Sequence, residues 1–299
     1  MTAPFPSGVY CAATTPFNAD LSVDHGLFTA HCRRLLDDGC TGIAMLGTTG
    51  EANSLSSRER MTLLEAVVTS GVAPANLLPG TGVASIMETV ELTRHAVANG
   101  VKAVVMLPPF YYKDVSDDGI IDAYTAVIER VNDPRLRVVL YHIPQMSAVP
   151  ISLDVIDRLR KRFPEIVVGI KDSSGDFANM SAIVERFPGF SVLVGADPLM
   201  IKLLPMGGAG CITATSNLVS GALAAVFNGY NDPAKAAEVA AAQERIVAAR
   251  TAVSSYAQLP SLKVLLAKRY GNDGWLRVRP PLTGLGATEA EAVRASFAG

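Results

Sequence analysis

Eight short apolar runs most constrain what this 299-residue chain can fold into. Each run is rich in Val, Ile or Leu and is apolar almost throughout, without the alternation of a half-exposed strand. Continuous apolarity over so few residues is typical of parallel strands that are covered on both faces. The predicted strands are 8–14, 42–46, 77–81, 101–107, 136–143, 166–170, 191–195 and 209–213.

Amphipathic stretches of helical length lie between these runs. The predicted helices are 24–38, 56–70, 86–99, 119–131, 152–163, 176–187 and 198–204. Strands and helices that alternate about eight times favour an α/β fold of the (β/α)8 TIM-barrel type. A doubly wound sheet is the alternative, but no Gly-x-Gly-x-x-Gly motif follows the first strand to support it.

The composition changes after about residue 220. Residues 233–255 are rich in alanine with Lys, Glu, Gln and Arg, which favours helix. Two more helical stretches follow at 259–270 and 287–297. We therefore predict a catalytic barrel over residues 1–228 and a C-terminal helical extension over residues 229–299.

Composition and charge narrow the class of protein. Apolar residues form 49% and charged residues 18% of the chain, which is typical of a globular protein with a large core. A net charge of −2 without a basic cluster disfavours nucleic acid as a partner. No apolar run approaches the roughly 20 residues of a membrane span, and the N-terminal residues lack the features of a signal peptide.

The four cysteines are scattered and show no CxxC spacing; they are Cys11, Cys32, Cys40 and Cys211. We expect them to be reduced thiols of a cytoplasmic protein. We expect no metal site, because no two candidate ligands have the spacing of a helical or zinc-knuckle site.

In a barrel, the reactive side chains belong at the carboxyl ends of the strands. The motif GTTGE at 47–51 follows the second predicted strand and offers the hydroxyls of Thr48 and Thr49 with exposed backbone amides. Hydroxyls and amides together suit a carboxylate; alternatively, threonine only caps a turn here. Tyr141 ends the strand RVVLY, where its phenol could relay protons or could simply line the rim.

Lys171 ends the apolar segment GIK at 169–171. At a barrel strand end, partial desolvation favours the neutral, nucleophilic form of an amine, which can condense with a ketone to a Schiff base. The iminium can then act as an electron sink for making or breaking a carbon–carbon bond. The alternatives are a salt bridge to Asp172 or Asp176, or a solvated lysine at the strand tip.

Three motifs together resemble those of a known family: GTTGE at 47–51, YHIP at 141–144 and GIKDSSGD at 169–176. They are similar to those of the dihydrodipicolinate synthase and N-acetylneuraminate lyase family of class I, pyruvate-dependent aldolases. The similarity runs from TPF at 15–17 to PPL at 280–282. It implies a lyase that forms a Schiff base with pyruvate or another 2-keto acid, needs no separate cofactor, and joins or releases an aldehyde.

The resemblance also implies roles for particular residues. Lys171 matches the Schiff-base lysine of the family, and Tyr141 matches the tyrosine that moves the proton. Thr48 and Thr49 match the hydroxyl pair of the pyruvate-binding turn. Thr49 is further expected to link Tyr141 to a tyrosine that a neighbouring subunit donates.

That donated tyrosine is expected in FYYK at 110–113, with Tyr112 the first choice and Tyr111 the second. Donation requires an oligomer, and family members are commonly homotetramers built from two tight dimers. Ile212 matches the residue whose backbone carbonyl faces the keto acid. Gly195, in the predicted turn after the seventh strand, is a further candidate substrate contact.

One departure from the family bears on the substrate. True dihydrodipicolinate synthases carry an arginine after the catalytic tyrosine that grips the carboxylate of aspartate semialdehyde, whereas YHIPQMS places Met146 there. Methionine cannot make a charge-assisted hydrogen bond, and neither His142 nor Lys113 offers a bidentate fork. We therefore expect an uncharged or sugar-derived aldehyde, as in 2-keto-3-deoxy sugar acid aldolases. A 4-hydroxy-tetrahydrodipicolinate synthase and a 2-keto-3-deoxy acid dehydratase are the alternatives.

Two hypotheses of other classes remain open. A keto-acid binding or sensor protein could keep the pocket without turnover, but a binder has no use for a proton relay. An unrelated metal hydrolase would need carboxylate or histidine ligands at the strand ends, and the predicted strand ends lack such a set.

Overall fold

The apolar runs form one parallel sheet of seven short strands. The structure is a computed structural model that describes residues 5–297. Its strands are Gly8–Cys11 (β1), Gly42–Ile43 (β2), Val104–Met106 (β3), Val138–His142 (β4), Val167–Asp172 (β5), Ser191–Val194 (β6) and Gly210–Thr213 (β7). Their order is β2-β1-β7-β6-β5-β4-β3, and every pairing is parallel.

The remaining predicted strand, 77–81, is an extended segment between the two edges of this sheet. Leu77 forms a parallel bridge to Ile43 of β2, and Gly80 forms one to Val105 of β3. The chain approaches its neighbour closely here, because a Cβ added at Gly80 would lie 2.2 Å from the Leu46 carbonyl oxygen. Glycine therefore lets this segment fit against β2, and the sheet is curled like that of a TIM barrel.

Side chains alternate between two buried layers, as the pleat requires. One layer packs between the sheet and the helices and includes Val138 and Leu140 of β4. The other lies inside the curl of the sheet and includes Val139 and Tyr141 of the same strand. Both faces of the sheet are therefore covered, which explains why the strand sequences are apolar throughout.

Seven helices precede β6. They are His25–Asp37 (α1), Ser57–Thr69 (α2), Ile86–Ala98 (α3), Asp117–Val131 (α4), Pro144–Ser147 (α5), Leu153–Arg162 (α6) and Phe177–Arg186 (α7). All except the single turn α5 were predicted to within two residues at each end. Their first turns are capped by side chains that accept a backbone N–H, namely those of Asp24, Ser56, Ser85, Ser116, Ser152 and Asp176.

The region after β6 departs from the sequence-based expectation. The predicted helix 198–204 is only one turn, Met200–Leu203 (α8), flanked by 3-10 turns. A full helix, Ser216–Gly229 (α9), was not predicted. Its sequence SNLVSGALAAVFNG contains serine and glycine and no charged residue, and the helix is kinked at Val219. It therefore lacks the polar face that identifies a surface helix.

Three further helices follow, Ala236–Ser254 (α10), Gln258–Tyr270 (α11) and Ala287–Ser296 (α12). They confirm the predicted helical stretches, although residues 1–4 and 298–299 of the two predicted domains lie outside the described residues.

Two ion pairs join these helices to turns at the carboxyl end of the sheet. Arg250 of α10 lies 2.7 Å from Asp197, and Lys263 of α11 pairs with Glu51.

All four cysteines are free and buried. None of the helices in residues 5–297 is long and apolar enough to cross a membrane.

Candidate active site

Lys171 lies inside the curl of the sheet, at the carboxyl end of β5. Strand β5 continues past the predicted end at residue 170 to Asp172, so the lysine is a strand residue with only 5% of its surface exposed. It pairs in register with Tyr141 of β4 and Leu193 of β6, both of which belong to the inner layer. Its Nζ atom lies 4.1 Å from the centre of the Tyr141 ring.

The nearby aspartates bond elsewhere. Asp172 is buried and accepts hydrogen bonds from the backbone N–H of Ser174 at 2.8 Å and from Asn179 Nδ2 at 2.7 Å. Asp176 caps α7 and accepts the N–H groups of Ala178 and Asn179. Neither carboxylate forms a salt bridge with Lys171 within residues 5–297. The structure thus supports neither alternative proposed for this lysine, the salt bridge or the solvated tip.

Tyr141 is held between the lysine and a threonine hydroxyl. Its phenol oxygen lies 3.2 Å from Oγ1 of Thr48, and either group could donate. Burial alone would raise the pKa of Tyr141, but the Lys171 ammonium and hydrogen bonds from Thr48, Lys171 and Ser173 outweigh it, so the pKa is lowered. A tyrosine poised in this way is suited to proton transfer.

The link expected of Thr49, between Tyr141 and a tyrosine of a neighbouring subunit, stays a prediction; within the subunit the structure places the Thr48 hydroxyl beside Tyr141. Among the hydrogen bonds of the described residues, the Thr48 hydroxyl meets Tyr141 and the Thr49 hydroxyl meets no protein partner. The two threonines are adjacent, so the local rotation of the turn decides which hydroxyl points inward. That rotation depends on contacts that are remote in sequence.

Those contacts hold the turn 47–51 from below. The Thr15 hydroxyl donates to the Gly50 carbonyl at 2.7 Å. A Cβ added at Gly50 would lie 3.0 Å from the Ala13 carbonyl oxygen, so the turn is packed closely on the end of β1. Glu51 adopts a left-handed conformation with φ of 53° and donates its N–H to the Thr48 carbonyl at 3.0 Å.

A cleft opens beside these residues. It encloses about 420 Å³, counting its open mouth, and Thr48, Tyr141, Lys171 and Ile212 all line it. Lys171 is the one charged side chain among its described lining residues. Most of the remaining lining is apolar or glycine, from the residues after β2, from β3 and from the segment 77–82, so a ligand in this cleft would lie against the lysine in a largely apolar environment.

Five other predicted site residues lie outside this lining, and Thr49 is one of them. Gly195 packs so closely on the next strand turn that an added Cβ would lie 2.0 Å from the Ser173 hydroxyl, and its carbonyl accepts from Arg250. Met146 is 66% exposed. Tyr111 and Tyr112 are 73% and 74% exposed, and their rings meet edge to face at 5.4 Å.

The sequence analysis missed two residues of the site. Asn53 lines the cleft just after the GTTGE motif, and Ser173 contributes a hydrogen bond that lowers the pKa of Tyr141. Ser173 directly follows the strand β5, so its position at a strand end was an available signal. Asn53 had no such signal because a short 3-10 turn, Ala52–Ser54, brings it back over the cleft.

No group of three or more His, Cys, Asp and Glu side chains in the described part of the chain is arranged to hold a metal ion. The chemistry that this site can support from its own side chains is therefore that of an amine, a phenol and a hydroxyl.

Comparison with known proteins identifies the class. Residues 5–298 match the family model of the dihydrodipicolinate synthetase family. A DapA-like lyase of Chloroflexus aurantiacus is 35% identical over 294 residues, which cover 98% of this chain and 96% of the relative. The chain belongs to the dihydrodipicolinate synthetase family, whose members are lyases of the class I aldolase type.

Solved structures agree with this assignment. The crystal structure of dihydrodipicolinate synthase from Agrobacterium tumefaciens superposes with a TM-score of 0.89 at 30% identity, and the match covers 97% of this chain and 98% of that one. YagE, a prophage protein of the same family from E. coli, has the same TM-score of 0.89 at 23% identity over 97% of each chain. At that lower identity the second match shows the fold alone.

Proposed function

We propose that the protein is a lyase in which Lys171 forms a Schiff base with pyruvate or a closely related 2-keto acid. The observation that carries this proposal is the grouping of Lys171, Tyr141 and Thr48 around one cleft, with the lysine free of any carboxylate partner in the described structure. A family neighbour of the same fold, YagE, was crystallised in complex with pyruvate. The second candidate class, a keto-acid sensor without turnover, has no use for this relay.

The proposed chemistry begins with attack of the Lys171 amine on the keto carbon. Loss of water gives an iminium, and removal of a proton from the adjacent carbon gives an enamine. The enamine adds to an aldehyde, the new oxyanion takes up a proton, and water releases the product from the lysine. Cleavage is the same sequence in reverse. Tyr141 carries the protons, and Thr48 orients its phenol.

The carboxylate of the keto acid is proposed to bind at the turn 47–51, where the main-chain N–H groups of Thr48 and Thr49 meet no acceptor among the described residues. Ile212, whose backbone carbonyl is proposed to face the keto acid, also lines the cleft. Free amides beside a hydroxyl suit a carboxylate. Gly195 is proposed to support this pocket only indirectly, through its contact with Ser173.

The partner aldehyde is proposed to be uncharged or sugar-derived, as in 2-keto-3-deoxy sugar acid aldolases. Lys171 is the one charged residue in the described lining, and Met146 offers no charge. His142 accepts the N–H of Ile151 and Lys113 Nζ donates to the Ser147 carbonyl at 3.0 Å, and neither offers the bidentate fork of an arginine. A dehydratase acting on the same sugar acids would use the same iminium. A 4-hydroxy-tetrahydrodipicolinate synthase is favoured only by the names of relatives such as that of Agrobacterium tumefaciens.

One experiment tests the proposed chemistry. The protein is incubated with pyruvate, reduced with borohydride, and mapped by mass spectrometry. We expect an adduct on Lys171 and none in Lys171→Met, and a wild-type protein without adduct would overturn the mechanism. Steady-state turnover with 2-keto-3-deoxy sugar acids and with aspartate semialdehyde then identifies the aldehyde; preference for the semialdehyde would overturn the substrate assignment.

The architecture and assembly are proposed as follows. The sheet closes as a (β/α)8 barrel with 77–81 as the eighth strand, and residues 229–299 form the helical extension. The protein assembles as a homotetramer, so that exposed Tyr112, or Tyr111, reaches the site of a neighbouring subunit. Light scattering measures the assembly, and Tyr112→Phe and Tyr111→Phe assayed separately show which phenol the reaction uses.

A further inference from the structure

An ion pair is buried beneath the turn that carries Thr48. The side chains of Glu51 and Lys263 are both fully buried and are paired with each other. Glu51 ends the GTTGE motif, whereas Lys263 belongs to α11 in the C-terminal extension, 212 residues further along the chain. The pair thus joins the helical extension directly to the turn of the candidate active site.

The remaining polar atoms of this pair are also satisfied. Glu51 Oε2 accepts the backbone N–H of Arg279 at 3.0 Å, and Lys263 Nζ donates to the Arg277 carbonyl at 2.5 Å. The ammonium also lies 4.5 Å from the centre of the Phe17 ring. Two charges removed from water are costly unless such bonds compensate them, and an apolar pair of the same volume is often as stable. Stability alone therefore does not explain why charges occupy this place.

Glu51 is connected to the proton relay through the backbone of the turn. Its N–H donates to the Thr48 carbonyl at 3.0 Å, and the N–H of Ala52 donates to the Gly47 carbonyl at 3.2 Å. Glu51 is also one of the few residues other than glycine with a positive φ, 53°. Such a conformation costs energy and persists only where surrounding contacts hold it. Release of the Glu51 side chain would let the turn relax and move the Thr48 hydroxyl away from Tyr141.

We propose that Lys263 is a positioning residue for the reaction: by fixing Glu51 it holds the Thr48 hydroxyl against Tyr141. The inference rests on the proposed function, in which Tyr141 and Thr48 transfer protons to and from the substrate. It gives the C-terminal extension a part in the chemistry. Lys263 contacts Glu51, Arg277 and Phe17, none of which lines the cleft, so it acts through the turn. Because the keto acid is proposed to bind at the same turn, an effect of Lys263 on proton transfer is separated from an effect on binding by measuring the reaction at saturating pyruvate.

The test uses a reaction that needs no aldehyde. An enamine that forms and reverts exchanges the methyl protons of pyruvate with deuterated water, which proton NMR follows. For Lys263→Met we expect the exchange rate at saturating pyruvate to fall between about tenfold and a hundredfold. In the plot of exchange rate against pH, the limb due to Tyr141 is the one that disappears in Tyr141→Phe. In Lys263→Met this limb should move to higher pH, because the hydrogen bond from Thr48 that lowers the pKa of Tyr141 is lost.

Lys268→Met is the matched control, since Lys268 lies on the same helix and donates to the carbonyls of Arg294 and Phe297, away from the turn. It should leave the pH profile unchanged. Should Lys263→Met not fold, Glu51→Gln combined with Lys263→Met leaves no unpaired charge and carries the same test. In Thr48→Val, adding Lys263→Met should cause no further loss of exchange.

The outcomes are distinct. Wild-type protein without exchange and without a trapped adduct would overturn the proposed function and this role with it. Two results would overturn the positioning role alone, provided that the wild-type protein exchanges. One is an unshifted pH profile in the folded Lys263→Met variant. The other is a loss of exchange that is additive when Lys263→Met is combined with Thr48→Val. A lowered melting temperature without these kinetic changes would show that the pair only stabilises the fold.

Discussion

Lys171 and Tyr141 are in-register neighbours on adjacent parallel strands, and the lysine Nζ lies 4.1 Å from the centre of the tyrosine ring. Parallel register places the carboxyl ends of β4 and β5 side by side, and the pleat directs both side chains into the curl of the sheet. An amine and a phenol that are 30 residues apart in sequence thereby become neighbours.

Replacement of Lys171 by methionine should abolish both the borohydride-trapped adduct and the exchange of pyruvate methyl protons, because no other described amine lines the cleft. Lys202→Met, on the exposed side of α8, is the control and should retain both activities. An adduct that persists in the Lys171 variant would contradict the assignment.

Removal of the Tyr141 hydroxyl should slow proton exchange by about 10²–10⁴-fold, the range of general acid–base catalysis. The trapped adduct should still form, though more slowly, since the amine remains. Tyr124→Phe is a suitable control because its buried hydroxyl donates to the Met106 carbonyl at 2.9 Å. That control should cost about 1 kcal/mol of unfolding free energy and leave the exchange rate near the wild-type value.

The two threonines of the turn should differ. Thr48→Val removes the hydroxyl that contacts Tyr141, so exchange should fall by about 10–100-fold, as for a hydrogen bond to a charged group. Thr49→Val should lower the exchange rate less than Thr48→Val does, because the Thr49 hydroxyl does not contact Tyr141 within the subunit. Equal losses, or a larger loss at Thr49, would restore the role first expected for that residue, and pyruvate exchange measured side by side decides between them.

Met146 governs the choice of aldehyde in the proposed function. Met146→Arg should raise kcat/KM for aspartate semialdehyde by about tenfold or more relative to an uncharged aldehyde, since a charge-assisted bond contributes about 1.5–3 kcal/mol. Met146→Leu, of similar size, should leave the ratio unchanged. A wild-type protein that already prefers the semialdehyde would contradict this assignment.

His31 should make stability depend on pH. Burial lowers its pKa to about 4, helped by Arg34 and Arg269 and opposed by its bond to Asn217. The ordinary value is about 6.5, so between those values the unfolded chain binds more protons than the folded one. The free energy of unfolding should therefore fall by about 3 kcal/mol as the pH drops from 6.5 to 4.

Urea unfolding at several pH values measures this effect. His31→Gln should flatten the dependence in that window, whatever its effect at neutral pH. His25→Gln, at the start of α1 and outside this network, should not flatten it. A wild-type slope that is unchanged by His31→Gln would contradict the prediction.

Much of the fold could be predicted because its signals are local. Serine and aspartate caps mark the helix starts, and runs of β-branched and aliphatic residues mark strands that are covered on both faces. The kinked helix Ser216–Gly229 escaped prediction because more than half of it is buried and it has no charged face. The end of β5 was placed two residues early, at 170 instead of Asp172, because lysine and aspartate have low strand propensity.

The sequence by itself indicated the alternating α/β architecture, predicted Lys171 and Tyr141 as site residues, and placed Met146 where an arginine is expected in true dihydrodipicolinate synthases. These depend on residue identity and on short-range order along the chain. Only the tertiary structure decided that Thr48, and not Thr49, meets Tyr141, and that Lys263 supports the turn from the far end of the chain. Which way a turn rotates, and which charge is buried beneath it, depends on packing between segments that are remote in sequence.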